Sequence, residues 1–122
     1  MTIDAVDIAR LVGLDSDIRV KTVFRDRHEL RAYLRALLLA KRLLENPDLV
    51  AQGEAYLERF VGPDPHQRQI YATWSGVIRL PVSVMVSRLL ADDEGGAFLR
   101  DTAPVFVVIP PEQVTALARR AA

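Results

Sequence analysis

Four arginines in the first half of the chain have a spacing that suits the binding of an anion. Arg27, Arg31 and Arg35 follow one another at intervals of four residues, and Arg42 comes seven residues later. On a helix these positions lie on one side. A guanidinium group carries a planar set of donors that matches the oxygens of a carboxylate or a phosphate. The spacing therefore predicts a binding site for an acidic protein surface or for nucleic acid phosphate.

Carboxylates later in the chain offer these arginines an internal partner instead. Like charges four residues apart destabilise a helix by about 0.2–0.5 kcal/mol per pair, which favours some form of compensation. Glu54 and Glu58 are also four residues apart, and two antiparallel helices would bring the two rows together. Residues 19–42 carry eight basic and two acidic side chains, whereas residues 43–65 carry one basic and five acidic. The sequence leaves open three states for these arginines: pairing with carboxylates of the same chain, binding of an external anion, or simple solvation.

A second group of polar residues lies where residues 68–90 resemble a helix-turn-helix unit. Ala72 and Gly76 have the spacing of its small residue and turn glycine, and Val82 and Met85 fall at its buried anchor positions. The side chains that would face DNA are those of Arg68, Arg79, Ser83, Ser87 and Arg88. A helix this apolar is more typical of a core, and a small residue four places before a glycine is also typical of two closely packed helices. We therefore predict a helical corner, with DNA recognition as the alternative.

Residue patterns typical of catalytic and metal sites do not occur in the sequence. The chain has no cysteine, and its two histidines, His28 and His66, lack the spacing of metal ligands. The acidic run from Asp92 to Glu94 lacks the alternating oxygens of a calcium loop. Phosphate-loop, dinucleotide and serine-nucleophile motifs are also missing. We expect neither enzymatic activity, nor a metal site, nor a cofactor.

Aromatic residues in the second half of the chain have two interpretations. Trp74 with Tyr71, and Phe98 with Phe106, could line a pocket for a small ligand. Aromatic side chains at such spacing are more often part of a hydrophobic core. A small-ligand sensor is therefore the weaker alternative function.

The elements that must position these residues are mostly helices. The chain has 122 residues, half of them apolar, with 16 basic and 16 acidic side chains. It is predicted to form a mainly α fold, a single domain over residues 1–122 with five to six helices. Two extended pieces, 18–24 and 105–109, are predicted either to form a minimal two-stranded β element or to pair across a dimer.

One helix, from Arg27 to Glu45, is predicted to lie at the centre of the fold. Asp26 and Glu29 have the spacing of a capping box at its start. Leucine and alanine occupy nearly all of its circumference, and only the arginine sector is polar. A helix of this kind is normally buried, so it is either a central strut or half of a subunit interface.

These patterns together favour a non-catalytic helical module that binds a protein partner or associates with itself, for instance as a homodimer. In size and style such a module is similar to bacterial antitoxins and small regulators, although no residue here identifies that family. Asp4 and Asp7 interrupt any signal-peptide pattern, and no apolar run is long enough to cross a bilayer. A cytoplasmic protein without membrane contact is expected.

Overall fold

The computed structural model describes residues 1–15 and 17–121, which form a mainly helical fold. The described part contains seven α-helices, rather than the predicted five to six, and a 3-10 turn at Glu58–Phe60 follows the third of them. The helices are α1 (Ala5–Val12), α2 (Arg27–Glu45), α3 (Leu49–Leu57), α4 (Pro65–Val77), α5 (Val82–Leu89), α6 (Glu94–Thr102) and α7 (Pro111–Ala121).

The long helix α2 lies at the centre of the fold, as its composition predicts. It begins at Asp26, whose Oδ1 accepts a hydrogen bond of 2.9 Å from the backbone N–H of Glu29. It ends where the N–H of Asn46 donates to the carbonyl of Arg42. Helices α5 and α7 pack along it, and α1 and α6 make further contacts. The buried side chains of α2 are those of Leu30, Tyr33, Leu34, Ala36, Leu37, Leu39, Ala40 and Leu43.

Helix α2 is buried by other helices of the same chain. Of the leucines on α2, only Leu44 is exposed, whereas Leu37 and Leu43 are completely buried. Most of the apolar surface of the helix is therefore covered without a second subunit.

The two extended pieces do not pair with each other, and that prediction is wrong. Residues 22–24 pair instead with the first residues of the chain, through one antiparallel bridge between Thr2 and Val23. The N–H of Ile3 donates to the carbonyl of Thr22, and the N–H of Phe24 donates to that of Met1. Residues 105–109 form no strand, and the backbone bends at Phe106 and Val107.

The physical reason is the anchoring of Phe106. Its ring lies 5.8 Å from that of Trp74, centroid to centroid, and packs against α3 at Gly53, where a Cβ atom would collide with it. The Trp74 indole N–H donates to the Thr102 hydroxyl, which donates to the carbonyl of Phe98. Trp74 and Phe106 are both buried, so they belong to the core.

The acidic run before Gly95 leads directly into helix α6. Asp93 caps α6 by accepting a hydrogen bond of 2.7 Å from the N–H of Gly96. A Cβ atom on Gly96 would overlap the carbonyl oxygen of Ala91. Glycine is therefore needed here because the helix start lies directly against the preceding backbone.

Candidate functional site

The four arginines of α2 lie on the polar sector of that helix, and three of them are open to solvent. We call Arg27, Arg31, Arg35 and Arg42 the arginine ridge. Arg27, Arg35 and Arg42 are exposed. Arg31 is half-buried beside α7, where its Nη2 donates a hydrogen bond of 3.1 Å to the hydroxyl of Thr115. The rigid helix thus presents three guanidinium groups on one side.

The carboxylates predicted as internal partners do not pair with the ridge. Glu54 and Glu58 lie on α3 and the turn that follows it, and both pack near α4. The Glu58 carboxylate accepts a hydrogen bond of 3.4 Å from the hydroxyl of Tyr71. Within residues 1–15 and 17–121, the ion pairs involve Lys21, Arg25 and Lys41 and none involves a ridge arginine. The charge of the ridge is therefore not neutralised by the described part of the chain.

A groove runs beside the ridge, between α2 and the chain that joins α6 to α7. Its volume is about 530 Å³. Arg35 and His28 lie on the α2 wall together with Ala32, Ala36 and Leu39, and residues 103–109 form the opposite wall. The opposite wall is apolar, and its Val105 and Val108 are 43% and 73% exposed. The groove therefore places the guanidinium of Arg35 opposite an apolar wall.

The wall formed by residues 103–109, which we call the extended segment, owes its shape to its own sequence. Pro104 at one end, and Pro110 with Pro111 at the other, push the residues before them out of the helical region. The four residues Val105, Val107, Val108 and Ile109 are β-branched, which also favours an extended backbone. The prolines and β-branched residues account for the lack of a helix here, but not for the position of the segment beside Arg35.

The second predicted set of residues is exposed, and three of its five members lie on one face of α5. Ser83 and Ser87 line a depression beside α2, Arg88 lines another between α4 and α6, and Arg79 lines a third with Glu54 and Glu58. Arg68 donates to the carbonyl of Pro63 through its Nη2. The face of α5 that carries Ser83, Ser87 and Arg88 is open to solvent, while its other face packs on α2 and α6.

The close helix packing predicted for Ala72 and Gly76 is wrong. Both residues are exposed, and a Cβ atom on Gly76 would meet nothing within 4 Å. Helix α4 packs mainly against α3 and the 3-10 turn, using other positions. This small-residue pair therefore explains no contact in the fold.

A buried polar cluster around Tyr33 is the feature that sequence reasoning missed. The Tyr33 hydroxyl donates to the carbonyl of Leu90 at 2.7 Å and accepts from the N–H of Lys21 at 2.8 Å. The guanidinium of Arg100 lies 5.0 Å from the Tyr33 ring centroid and donates to the carbonyls of Leu89 and Ala91. Burial raises the pKa of the Tyr33 hydroxyl. A buried tyrosine needs a partner for its hydroxyl, and this was the available signal.

The ammonium group of Lys21 extends this cluster to the surface. Its Nζ lies 2.9 Å from an Asp92 carboxylate oxygen and 3.1 Å from one of Glu29. The hydrogen bonds to Asp92 and then to Glu29 raise the pKa of Lys21. Because these residues come from four separate segments, the cluster joins those segments to one another.

The described residues contain neither a membrane-spanning helix nor a cluster of metal ligands. None of the described helices is both long and apolar enough to cross a membrane. Nor do the described residues bring together three or more His, Cys, Asp or Glu side chains as a metal site would require.

In comparisons with protein-family models, with curated proteins and with solved structures, no match to this chain was found.

Proposed function

We propose that this protein is a non-catalytic interaction module whose arginine ridge binds an acidic surface of a protein partner. The observation that carries the proposal is the open state of Arg27, Arg35 and Arg42 on a helix whose other sides are buried. A rigid helix fixes the backbone positions from which these side chains extend, so association does not require the backbone to be ordered. Guanidinium groups pair with carboxylates in two-pronged hydrogen bonds, so the ridge suits a carboxylate-rich partner.

The proposal also accounts for the repulsion along the ridge. Arg27 with Arg31, and Arg31 with Arg35, are like-charged pairs at a spacing that destabilises a helix by about 0.2–0.5 kcal/mol each. Carboxylates from a partner would remove that repulsion. A second copy of the chain is one such partner, because Glu45, Asp48, Glu54 and Glu58 are all exposed.

The test compares two triple variants of equal charge change. Arg27, Arg35 and Arg42 are changed together to glutamate in one variant, and the exposed Arg10, Arg119 and Arg120 are changed in the other. Each is used as bait in an extract of the source cell at low salt, and the solution mass of each is measured by light scattering. We expect the wild type and the variant at Arg10, Arg119 and Arg120 to retain an acidic partner or to self-associate. The variant at Arg27, Arg35 and Arg42 should do neither.

Equal retention by the ridge variant and the wild type would refute the proposal. So would a wild-type chain that stays a monomer at low salt and retains no acidic protein. Circular dichroism of both variants checks that the helices are intact.

An alternative proposal is a DNA-binding regulator that uses residues 68–90. It is favoured by the exposed face of α5, where Ser83, Ser87 and Arg88 lie, and by the exposed Arg79 just before that helix. Such binding should weaken steeply with added salt, because phosphate contacts release counterions. A titration with duplex DNA at two salt concentrations tests it, using Arg79 and Arg88 changed to glutamate. Absence of binding at low salt would eliminate this alternative.

A further inference from the structure

The extended segment leaves its backbone polar groups without partners in the chain. Among the described residues, the N–H and C=O groups from Val105 to Ile109 take part in no hydrogen bond. Peptide groups have a strong requirement for hydrogen bonds, and an extended segment with free groups is a template for a further strand. Phe106 fixes the segment to the core, so the template is held in place while Val108 faces solvent.

The groove beside this segment carries a positive charge on its α2 side, at Arg35. Arg35 and His28 line it from α2. The other charged groups that line the groove are Arg100, whose guanidinium already donates to two backbone carbonyls, and Asp101. Arg35 is exposed and makes no ion pair within the described part of the chain. A chain lying in the groove would thus meet backbone groups and valine side chains on one side and a free guanidinium on the other.

We propose that this groove binds an extended peptide in which acidic side chains alternate with small aliphatic ones. Alternate residues of an extended chain point to opposite sides, so one set can reach Arg35 while the other packs on the exposed Val108. The peptide would add to the segment by backbone hydrogen bonds, most directly at residues 108–109, beyond the bend at Phe106 and Val107. This inference rests on the proposed function and assigns the partner's acidic surface to an extended stretch.

Charge complementarity selects an acidic peptide over a second copy of the segment. Residues 103–111 contain no carboxylate. A second copy of the segment would therefore offer Arg35 no carboxylate from these residues. A helical partner is disfavoured because its backbone groups are already hydrogen-bonded and cannot pair with the segment.

The test measures the binding of a short labelled peptide, in which glutamate alternates with valine, to the protein. Fluorescence polarisation is the readout. Three comparison peptides are used: one with lysine in place of glutamate, one of glutamate alone, and one N-methylated at alternate amides. We expect saturable binding of the first peptide only. Arg35→Glu should weaken it about tenfold or more, because a charge-assisted hydrogen bond is lost. Arg10→Glu, the control on α1, should leave it unchanged.

Val108→Pro tests whether a backbone N–H of the protein takes part in peptide binding. Proline removes one backbone N–H and should weaken peptide binding, whereas Val108→Ala should bind nearly as the wild type does. Thermal melting checks that both variants fold. If Val108→Pro is unfolded, the N-methylated peptide still decides the question.

Several outcomes would overturn the inference. These are no saturable binding of the glutamate–valine peptide, equal binding of the lysine peptide, and equal binding of the N-methylated or all-glutamate peptide. If the glutamate–valine peptide does not bind while the ridge variant still loses its partner, this inference is wrong and the proposed function remains. If both experiments fail, the proposed function fails as well.

Discussion

At the scale of single residues, Tyr33 shows how one hydroxyl stabilises a helical protein. It accepts from one backbone N–H and donates to one backbone carbonyl, and these belong to Lys21 and Leu90, which lie on different segments. Replacement by phenylalanine keeps the ring and leaves both backbone groups without this partner. The cost of leaving buried polar groups unpaired dominates such changes.

We therefore expect Tyr33→Phe to lower the free energy of unfolding by about 1–3 kcal/mol. Urea denaturation followed by circular dichroism measures it. Tyr71→Phe is the matched control, since the Tyr71 hydroxyl makes one exposed contact of 3.4 Å with Glu58. Equal effects of the two changes would show that the buried hydroxyl is not important.

Two glycines inside helices should respond to alanine in opposite ways. Gly96→Ala places a Cβ atom against the carbonyl oxygen of Ala91, so the start of α6 must move and stability must fall. Gly76→Ala places it in open space, and the lower backbone entropy of alanine should raise stability by about 0.5–1 kcal/mol. Melting temperatures of the two variants test this. A neutral or stabilising Gly96→Ala would contradict the close approach of α6 to the backbone at Ala91.

At the scale of elements, α2 depends on the cap at its first turn. The hydrogen bond from the Glu29 N–H, with the nearby Arg25, lowers the pKa of the Asp26 carboxyl. A group with a lowered pKa adds stability above its unfolded pKa, and this is lost as the pH falls through its folded pKa. The cap should therefore weaken on acidification below about pH 4.

Asp26→Asn tests this at the level of the helix, because asparagine also caps but does not titrate. We expect the variant to melt close to the wild type in acid and to lack the contribution that the wild type gains as the pH rises. Melting temperatures measured from acid to neutral pH show the difference. Parallel curves for the two proteins would mean that the ionised cap contributes nothing.

At the scale of the whole molecule, the cluster around Tyr33 links four segments and should make the fold sensitive to alkali. Burial raises the pKa of Tyr33, and hydrogen bonds to Asp92 and Glu29 raise that of Lys21. Above about pH 10 the folded state then keeps protons that the unfolded chain has lost, so stability falls as pH rises.

The expected result is a melting temperature that decreases with pH above about 10, and less steeply in Tyr33→Phe than in the wild type. Thermal scans at several alkaline pH values measure both slopes. If Tyr33→Phe has the same slope as the wild type, ionisation of this tyrosine is not coupled to unfolding.

Local patterns in the sequence were enough to predict α2 and its place in the fold. The cap at Asp26, the end at Glu45 and the nearly continuous apolar circumference all depend on residues within one helix. The same is true of the proline-bounded shape of the extended segment. These features follow from contacts between near neighbours in the chain, and for that reason the sequence alone determined them.

Only the tertiary structure determines which helices and segments pack against one another. The ridge arginines and Glu54 have complementary charges, yet α3 packs near α4 and leaves them apart. Phe106 ties the extended segment to Trp74 and Gly53, so a groove forms beside Arg35 in place of the predicted sheet. Such pairings depend on the shape and volume of side chains far apart in the chain, which no spacing rule describes. The sequence thus determined the cationic helix and the extended segment, and only packing placed them on opposite walls of one groove.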